Sequence, residues 1–305
     1  MLRHLQRFSP ACALAVAALL WNTGWGETPA PSHDPAFWNA LRTDRFKLPS
    51  DQPVMPLALE AAALLGSTDP ELRDAVAYEA LATWIYQDPR LDPAELEQLR
   101  VLLTANARQG LGEPEGDGLF MRSFSILVLS VLAAEDLKKP YLDAQRFGSL
   151  VDLGIEELDR ERDLRGYVSG KGWGHATAHC ADLMKFLSRS HWLQRDQQAR
   201  IVNAIEARLR SAGRVFVWGE DARLAAALTS LARRPDADPA PFEAWFNRLR
   251  EEHDAVWAGS FDPVRYVPVR AQLNTLAALE ANLEPDTGPA ATIRGALRSL
   301  RATAQ

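Results

Sequence analysis

The dipeptide Asp-Pro is the feature that most constrains what this chain can fold into, because it recurs where helices are expected to begin. An aspartate at an N-cap accepts hydrogen bonds from the first backbone amides of a helix, which have no partner inside the helix. A proline at the first helical position costs no hydrogen bond, because the N–H of any residue there has no partner within the helix. The dipeptide precedes segments of helical periodicity at Asp34-Pro35, Asp69-Pro70, Asp92-Pro93, Asp238-Pro239 and Asp262-Pro263.

Apolar residues repeat with the period of an α-helix along most of the chain. Ile201, Ile205 and Leu209, for example, follow one another at four-residue steps and define one helix face. The segment that most resembles a strand, residues 214–218, is short. We predict eleven or twelve helices joined by short polar turns, over residues 35–43, 54–65, 70–87, 93–110, 118–134, 141–160, 172–189, 195–211, 220–233, 240–257, 264–283 and 288–302.

The fold class that these patterns predict is all-α. Short connections make consecutive helices antiparallel neighbours, so we expect helical hairpins in a repeat-like (HEAT-like) α-solenoid or curved helical array. No convincing sequence repeat accompanies them, and a compact all-α bundle stays open as the alternative. No low-complexity linker divides the chain, which predicts a single all-helical domain over residues 35–303 after a flexible leader at residues 27–34.

The first 26 residues have the pattern of a secretory signal peptide. Arg3 and Arg7 form a basic n-region, the uncharged run of residues 11–21 forms the h-region, and Gly24-Trp25-Gly26 matches the small-x-small cleavage pattern. We expect cleavage after Gly26 and export, to the periplasm if the source is a Gram-negative bacterium. An uncleaved N-terminal anchor is the alternative. The apolar run is shorter than the roughly 20 residues that span a bilayer, so no stable membrane insertion is expected after cleavage.

Charge and cysteine content exclude two further classes. Cleavage would remove Arg3 and Arg7 but no acidic residue, so the formal charge would go from −6 to −8. Such an acidic chain is a poor nucleic-acid binder, and no nucleic-acid partner is predicted. Of the two cysteines, Cys12 lies in the signal peptide, so Cys180 alone remains and no internal disulfide can form. The stability of the mature chain must therefore come from an extensive core.

Two histidines and an aspartate in the segment 172–189 define the most specific site candidate. If its helix begins near Gly172, then His175, His179 and Asp182 fall within an arc of about 60°. Two imidazoles and a carboxylate suit zinc or another divalent ion, and the helix N-terminus would keep His175 neutral. A metal-free ligand or catalytic pocket and a purely structural polar network are the alternatives. Cys180 falls on the apolar face and is expected to point into the core.

A glycine-rich turn precedes this helix and carries both signs of charge. Arg162, Arg165 and Lys171 around glycine amides would suit a carboxylate or phosphate, although the spacing matches no known phosphate loop. The alternative, which we favour, is that Asp163 and Glu161 pair with arginines and hold the turn in place.

Polar residues at the starts of two other helices complete the candidate pocket: Arg122 in one, and Glu220 and Asp221 in the other. Glu220 and Asp221 open a helix that would lie beside the histidines, and we expect at least one of Arg165, Glu220 or Asp221 to face them. No cofactor is predicted beyond a possible divalent metal at His175, His179 and Asp182. The full candidate pocket comprises Arg122, Asp163, Arg165, Lys171, Trp173, His175, His179, Asp182, Glu220, Asp221 and Arg223.

Several strings of the sequence resemble the bacterial domain-of-unknown-function (DUF) family 2785. The resemblance covers roughly residues 40 to 285 and implies an all-helical protein with a shared polar centre. The family has no established activity to transfer. The strings that carry the resemblance are residues 122–125, Asp163-Leu164-Arg165-Gly166-Tyr167, Lys171-Gly172-Trp173-Gly174-His175-Ala176-Thr177-Ala178-His179, residues 181–183, Glu220-Asp221-Ala222-Arg223-Leu224 and residues 270–274.

Two functions from different classes follow from these observations. The first, which we favour, is an exported helical scaffold that binds a peptide, a protein or a small-molecule ligand at the polar pocket around His175 and His179. The second is a hydrolase, with or without a metal ion, that uses the face formed by His175, His179 and Asp182. Clustering of residues from separate segments in one pocket would favour a ligand or catalytic site over a surface scaffold.

Overall fold

The computed structural model describes residues 33–283 and 288–303, which form twelve helices and one β-hairpin with two residues in each strand. The prediction of an all-α fold is confirmed. The predicted signal peptide (residues 1–26) and most of the predicted leader lie outside the described residues. The helices are α1 (Pro35–Thr43), α2 (Met55–Leu64), α3 (residues 71–87), α4 (Pro93–Arg108), α5 (Gly118–Lys138), α6 (Ala144–Arg160), α7 (Ala176–Leu187), α8 (Arg195–Ser211), α9 (Glu220–Ala232), α10 (Ala240–Trp257), α11 (Pro263–Asn282) and α12 (Pro289–Thr303).

The Asp-Pro dipeptides begin helices for the reason that the sequence predicts. Each of the five aspartate side chains accepts a backbone amide hydrogen bond two or three residues further along the chain, at 2.8 to 3.0 Å. Asp92 also forms a capping box, because Glu95 accepts the amide of Asp92 in return. Local capping therefore sets where α1, α3, α4, α10 and α11 begin.

Helix α3 departs from regular α-helical geometry along most of its length. Two π-helical stretches, Glu71–Tyr78 and Thr83–Gln87, flank a single α-helical turn at Glu79–Ala82. A π-helical backbone widens the helix and is often found at functional sites. Nothing in the apolar spacing of residues 70–87 distinguishes this helix from an ordinary one.

The helices pack in two rows, with α5 near the centre of the fold. Helices α5, α7, α9 and α11 lie side by side in that order, and α4 also packs on α5. On the other side, α6 packs on α8, α8 on α10, and α10 on α12. Helix α5 is long and apolar enough to cross a membrane by length and composition, but 78% of the window concerned is buried inside the fold. That burial is what a core helix requires.

The predicted helix at residues 172–189 is wrong at its start. Residues Gly172–Trp173 form strand β2, which pairs antiparallel with β1 (Tyr167–Val168), and α7 begins only at Ala176. Gly172 adopts φ +78°, a left-handed conformation that glycine tolerates and that ends any helical path through this segment. Pairing then continues beyond the strands, since the amide of Gly174 donates to the Gly166 carbonyl at 2.7 Å. His175 therefore precedes the helix as its N-cap instead of lying in its first turn.

Candidate functional site

A cavity of about 880 Å³ opens where α3, α5, α7 and α9 meet the β-hairpin. Four of the predicted pocket residues line it: Trp173, His175, His179 and Arg223. The other lining residues come mainly from the N-terminal third of the chain. They are Arg42, Arg45, Phe46, Asp74, Ala75, Tyr78, Glu79, Thr83 and Gln87, together with Phe124, Leu127 and Trp218.

His179 is held in one orientation and one tautomer by α5. Its Nδ1 lies 2.7 Å from the Ser123 Oγ, and the Ser123 hydroxyl donates its own hydrogen to the Gly174 carbonyl. Because that hydrogen is committed, His179 Nδ1–H must be the donor to the Ser123 oxygen. The Nε2 lone pair of the neutral ring is then left as the acceptor. Since only 4% of His179 is exposed, this acceptor can serve only a group that enters the cavity.

His175 lies beside His179 and carries an unpaired polar atom. Its ring stacks on Trp173 with centroids 4.4 Å apart, and the His179 ring lies 5.9 Å away in an edge arrangement. Nε2 of His175 is buried and has no hydrogen-bond partner. Leaving a buried nitrogen unpaired costs about 1–3 kcal/mol. A ligand group that bonds to this nitrogen would remove that cost.

Both imidazoles are neutral at neutral pH. The pKa of His175 is lowered to about 4, mainly by burial and then by the positive charge of Arg223, and a hydrogen bond with the Trp218 backbone opposes this shift. Burial also holds the pKa of His179 well below its usual range, followed by the charges of Arg223 and His175. The neutral state predicted from the sequence therefore holds, but its cause is desolvation and not a position in the first helical turn.

Asp182 does not complete the metal face that the sequence predicts. Its carboxylate lies 2.6 Å from Nη1 of Arg223 and 3.0 Å from Nζ of Lys185, and Asp182 does not line the cavity. Across residues 33–283 and 288–303, no group of three or more histidine, cysteine, aspartate or glutamate side chains could hold a metal ion. A divalent cation at the two imidazoles would also meet the charge of Arg223, so this donor set fits a metal ion poorly.

Backbone strain within the described ranges concentrates at this cavity. Arg45, Phe46 and His175 are the non-glycine residues there with positive φ, at 54°, 57° and 54°, and all three line the cavity. The left-handed conformation is unfavourable for residues with a Cβ, and it persists only where surrounding contacts enforce it. For Phe46, Trp84 Nε1 donates to the Phe46 carbonyl at 2.9 Å and provides one such contact.

Other predicted pocket residues form a separate group that does not line the cavity of the histidines, here called the bracing network. Buried Arg122 makes two bonds to the buried Glu161 carboxylate, at 2.7 and 3.1 Å. Arg165 bonds to Asp163 from Nε at 2.8 Å, and Asp163 is fully buried. These pairs confirm that Asp163 and Glu161 hold the glycine-rich turn in place.

Lys171, another predicted pocket residue, is also used for structure. Its Nζ lies 2.6 Å from an Asp117 carboxylate oxygen, and this ion pair ties the β-hairpin to the start of α5. Neither Lys171 nor any member of the bracing network lines the cavity of the histidines. Two of the three cations behind the anion-binding interpretation of the glycine-rich turn, Arg165 and Lys171, are therefore used in internal pairs.

The acidic pair at the start of α9 does not face the histidines. The Glu220 carboxylate accepts the Trp218 amide at 2.9 Å, and burial raises the pKa of Glu220. Asp221 accepts the amide of Ala222. Neither residue lines the cavity, although α9 does pack beside α7 as expected. The residue that reaches the cavity from α9 is Arg223, and its charge has the opposite sign.

Cys180 lies in the core, as the sequence predicts. The residue is fully buried, and its thiol donates to the Gly154 carbonyl at 3.2 Å. Burial raises the pKa of this thiol well above its usual range, so the thiol stays protonated. Its environment is that of a small core residue and not of a nucleophile.

Sequence reasoning missed the part of the cavity wall that comes from α1 to α3. Arg45 and Tyr78 are far from His175 in sequence and belong to no motif. Burial and the charge of Glu79 raise the pKa of Tyr78, so its hydroxyl stays protonated and can donate a hydrogen bond. Trp218 lies two residues before Glu220 and shows no periodicity that distinguishes it from a core tryptophan.

Comparison with known proteins places the chain in a family. Residues 108–279 match a family described as "Protein of unknown function (DUF2785)". No curated protein and no solved structure matches the chain. The matched range includes α5 to α9 and both histidines, whereas Arg45 and Tyr78 lie before it. Since the match covers more than half of the 305 residues, this protein belongs to the DUF2785 family.

Proposed function

We propose that this protein is a noncatalytic binding protein whose cavity takes a small polar ligand on His175 and His179. The observation that carries the proposal is the strain at Arg45, Phe46 and His175, which all lie at this one cavity. Strained non-glycine backbone is unfavourable by about 1–3 kcal/mol per residue and clusters where proteins clamp ligands.

The hydrogen-bonding groups of the cavity support the same proposal. His175 Nε2 is buried without a partner, and the His179 tautomer presents an acceptor at Nε2. Tyr78, which also lines the cavity, adds a protonated hydroxyl. A polar ligand with hydroxyl or N–H groups would pair with these atoms, and a purely apolar ligand would leave them unpaired at a cost.

A hydrolase is the second candidate, because the Ser123–His179 bond fixes a tautomer in the way that an acid–base catalyst requires. The protonation equilibria favour binding instead. An efficient general base has a pKa near the working pH, whereas the pKa of His175 is about 4 and that of His179 is lowered strongly.

The test is a thermal-shift screen with monosaccharides, uronic acids, amino acids and dicarboxylates. Compounds that stabilise the wild-type protein should no longer stabilise His175→Asn, since asparagine tolerates the left-handed backbone but lacks the imidazole. His191→Asn is the matched control, because His191 is exposed and lies outside the cavity. Stabilisation that survives His175→Asn would contradict the proposal. Turnover of a hydrolysable ester or glycoside that is lost in His179→Gln would favour the hydrolase.

We also propose that the protein is exported, with its signal peptide cleaved after Gly26, and is periplasmic in a Gram-negative source. The basic n-region and the short apolar run support this. Mass spectrometry of the native N-terminus decides between cleavage and an intact Met1.

The two helix rows further support a curved, solenoid-like array, in which α5, α7, α9 and α11 form one layer. The divalent-metal hypothesis stays a prediction. Metal analysis of the natively purified protein, with and without His179→Ala, tests it.

A further inference from the structure

Three aromatic side chains form an exposed cluster at the mouth of the cavity, here called the aromatic ridge. The rings of Tyr167, Trp173 and Trp218 contact one another, with centroids 5.1 to 6.1 Å apart. Tyr167 is 49% exposed, Trp173 38% and Trp218 50%. Large aromatic rings that cluster in water mark surfaces at which something binds.

The local fold builds the aromatic ridge specifically. Strand pairing sets Tyr167 directly opposite Trp173. Trp218 packs so closely on Gly166 that a Cβ atom at position 166 would overlap its ring. Trp173 is further fixed by its stack on His175. Each ring is therefore held in place while part of its surface remains open.

A second cavity, of about 460 Å³, lies on the other side of the aromatic ridge. Its wall includes Gly166, Tyr167, Arg214 and Trp218, and Trp218 lines the first cavity as well. The two cavities are thus consecutive depressions separated by one indole ring. A ligand longer than a single small molecule could occupy both only by crossing that ring.

Each cavity has one arginine without a carboxylate partner. Arg45 in the first and Arg214 in the second form no ion pair with any described residue, and Arg214 makes only a bond of 3.4 Å to the Leu164 carbonyl. The remaining arginines are paired: Arg42 with Glu71, Arg165 with Asp163 and Arg223 with Asp182.

The carboxylates that line the two cavities do not fully neutralise the charges of Arg45 and Arg214. In the first cavity Asp74 is paired with Arg73 at 2.8 Å, and exposed Glu79 adds one negative charge. In the second, Glu220 is buried with a raised pKa and is bonded to the Trp218 amide. An anionic group is therefore accommodated near Arg45 and near Arg214, one on either side of the ring.

We propose that the two cavities and the aromatic ridge together bind an acidic oligosaccharide built of uronic acid units. Sugar rings would stack by their C–H faces on Trp218 and Trp173, since the face of an indole ring carries partial negative charge. Carboxylates on successive units would bond to Arg45 and Arg214 as planar pairs. Hydroxyl groups of the unit in the first cavity would pair with His175 and His179, and this part of the proposal rests on the proposed binding function.

The exposed aromatic surface favours a sugar chain over an acidic peptide. The exposed parts of the three rings can contact flat partners, and a pyranose ring supplies one in each unit. An acidic side chain such as glutamate supplies the charge but no ring. A uronic acid unit carries both on one rigid frame, which also reduces the entropy lost on binding.

Isothermal titration calorimetry of the full mature chain tests this with four probes: galacturonic acid, tetragalacturonate, neutral cellotetraose and tetraglutamate. We expect tetragalacturonate to bind tightest and to weaken as salt concentration rises. Trp218→Ala should lower its affinity about fivefold to tenfold, as expected for one stacking contact. Trp257→Ala is the matched control, because Trp257 is also exposed, at 57%, but lies at the end of α10.

Further variants separate charge from stacking. Arg45→Ala and Arg214→Ala should each lower the affinity for tetragalacturonate but not for cellotetraose, whereas Arg200→Ala, which removes the surface pair of Arg200 with Asp152, should change neither. Circular dichroism of each variant shows whether it is folded.

The outcomes also separate this proposal from the one on which it rests. Tetragalacturonate that binds no tighter than galacturonic acid would overturn the two-cavity proposal, while binding that still depends on His175 would leave the binding function intact. Tetraglutamate that binds more tightly would overturn the sugar class. If none of the four probes binds the folded protein, the proposal of an acidic oligosaccharide is wrong.

Discussion

The two sides of the β-hairpin use the same kinds of residue in opposite ways. In the bracing network, the Arg122 and Arg165 side chains each bond to a buried carboxylate. At the cavity, His175 Nε2 has no hydrogen-bond partner and Arg45 no ion pair among the described residues, and the backbone is strained at both. The bracing network pairs its charged side chains internally, whereas the cavity leaves His175 Nε2 and Arg45 available.

This contrast separates stability from function within a single motif. Natural proteins satisfy buried polar atoms almost everywhere, so the exceptions need a reason. The segment from Asp163 to His179 would look like one polar site if read as a sequence. Its first part ties the hairpin to α5, and its second part faces a cavity. Variants in the two parts should therefore affect different measurements.

Arg122→Ala should have the largest effect on stability and so tests the bracing network most directly. It would leave the buried Glu161 carboxylate without its main partner, and breaking a buried pair in this way costs about 3–5 kcal/mol. Urea denaturation followed by circular dichroism measures the loss. Arg108→Ala is the control, because Arg108 pairs with Glu156 at the surface and should contribute less than about 1 kcal/mol. Equal losses would show that the network has no special role.

Glu157, beside the same network, should make stability depend on pH. Its carboxyl is buried without a hydrogen-bond partner, and burial followed by the charge of Glu161 raises its pKa from 4.5 to about 8. Between these two pH values the unfolded chain loses a proton that the folded chain keeps. The contribution of Glu157 should therefore decrease as pH rises, by up to about 1.4 kcal/mol per pH unit.

Denaturation midpoints measured from pH 5 to pH 9 test this prediction with two variants. Glu157→Gln should remove most of this decrease of stability with pH. Between low and high pH, the variant should therefore lose less stability than the wild type. Glu156→Gln is the neighbouring control, since arginines lower the pKa of Glu156 and its contribution changes only at more acidic pH. A slope that survives Glu157→Gln must come from another group.

Ser123 joins the two sides of the comparison, since it lies in the core of α5 but orients a cavity histidine. Ser123→Ala would leave the Gly174 carbonyl without this donor and His179 Nδ1 with only the backbone carbonyl of residue 123, at 3.3 Å, at a cost of about 1–3 kcal/mol. Ser125→Ala, also buried but bonded only to the Met121 sulfur at 3.8 Å, should change stability by less than about 0.5 kcal/mol. Similar losses in both would mean that the Ser123 bonds contribute nothing specific.

Residues whose role depends on local geometry could be predicted from the sequence. Helices α8 and α10 begin and end at the predicted residues, because capping and apolar spacing act over a few positions. The pairing of Asp163 with a nearby arginine and the burial of Cys180 depend likewise on neighbours in the chain.

The rest depends on contacts that no local pattern contains. The start of α7 was misjudged because two left-handed glycines and a strand pair override the apolar spacing there. The role of Arg45 could not be predicted, since it lines the same cavity as His175 only in the folded chain. Asp182 was assigned to a metal face for a related reason: its helical position is correct, but Arg223 arrives from another helix.

Arg45→Gly should have the smallest effect on stability and of the opposite sign, which makes it the sharpest test of the comparison. Glycine adopts the left-handed backbone at φ 54° without steric cost, so relief of strain should raise stability by about 0.5–1 kcal/mol. The extra freedom of glycine in the unfolded chain opposes this gain and keeps it small. Lys47→Gly, two residues on and outside the left-handed region, has only the second effect and should be destabilising. If Arg45→Gly is stabilised but binds tetragalacturonate more weakly, then Arg45 lowers the stability of the protein and increases its affinity for the ligand. If it is destabilised like Lys47→Gly, the conformation of Arg45 carries no strain, and the functional argument from the backbone at that position is wrong.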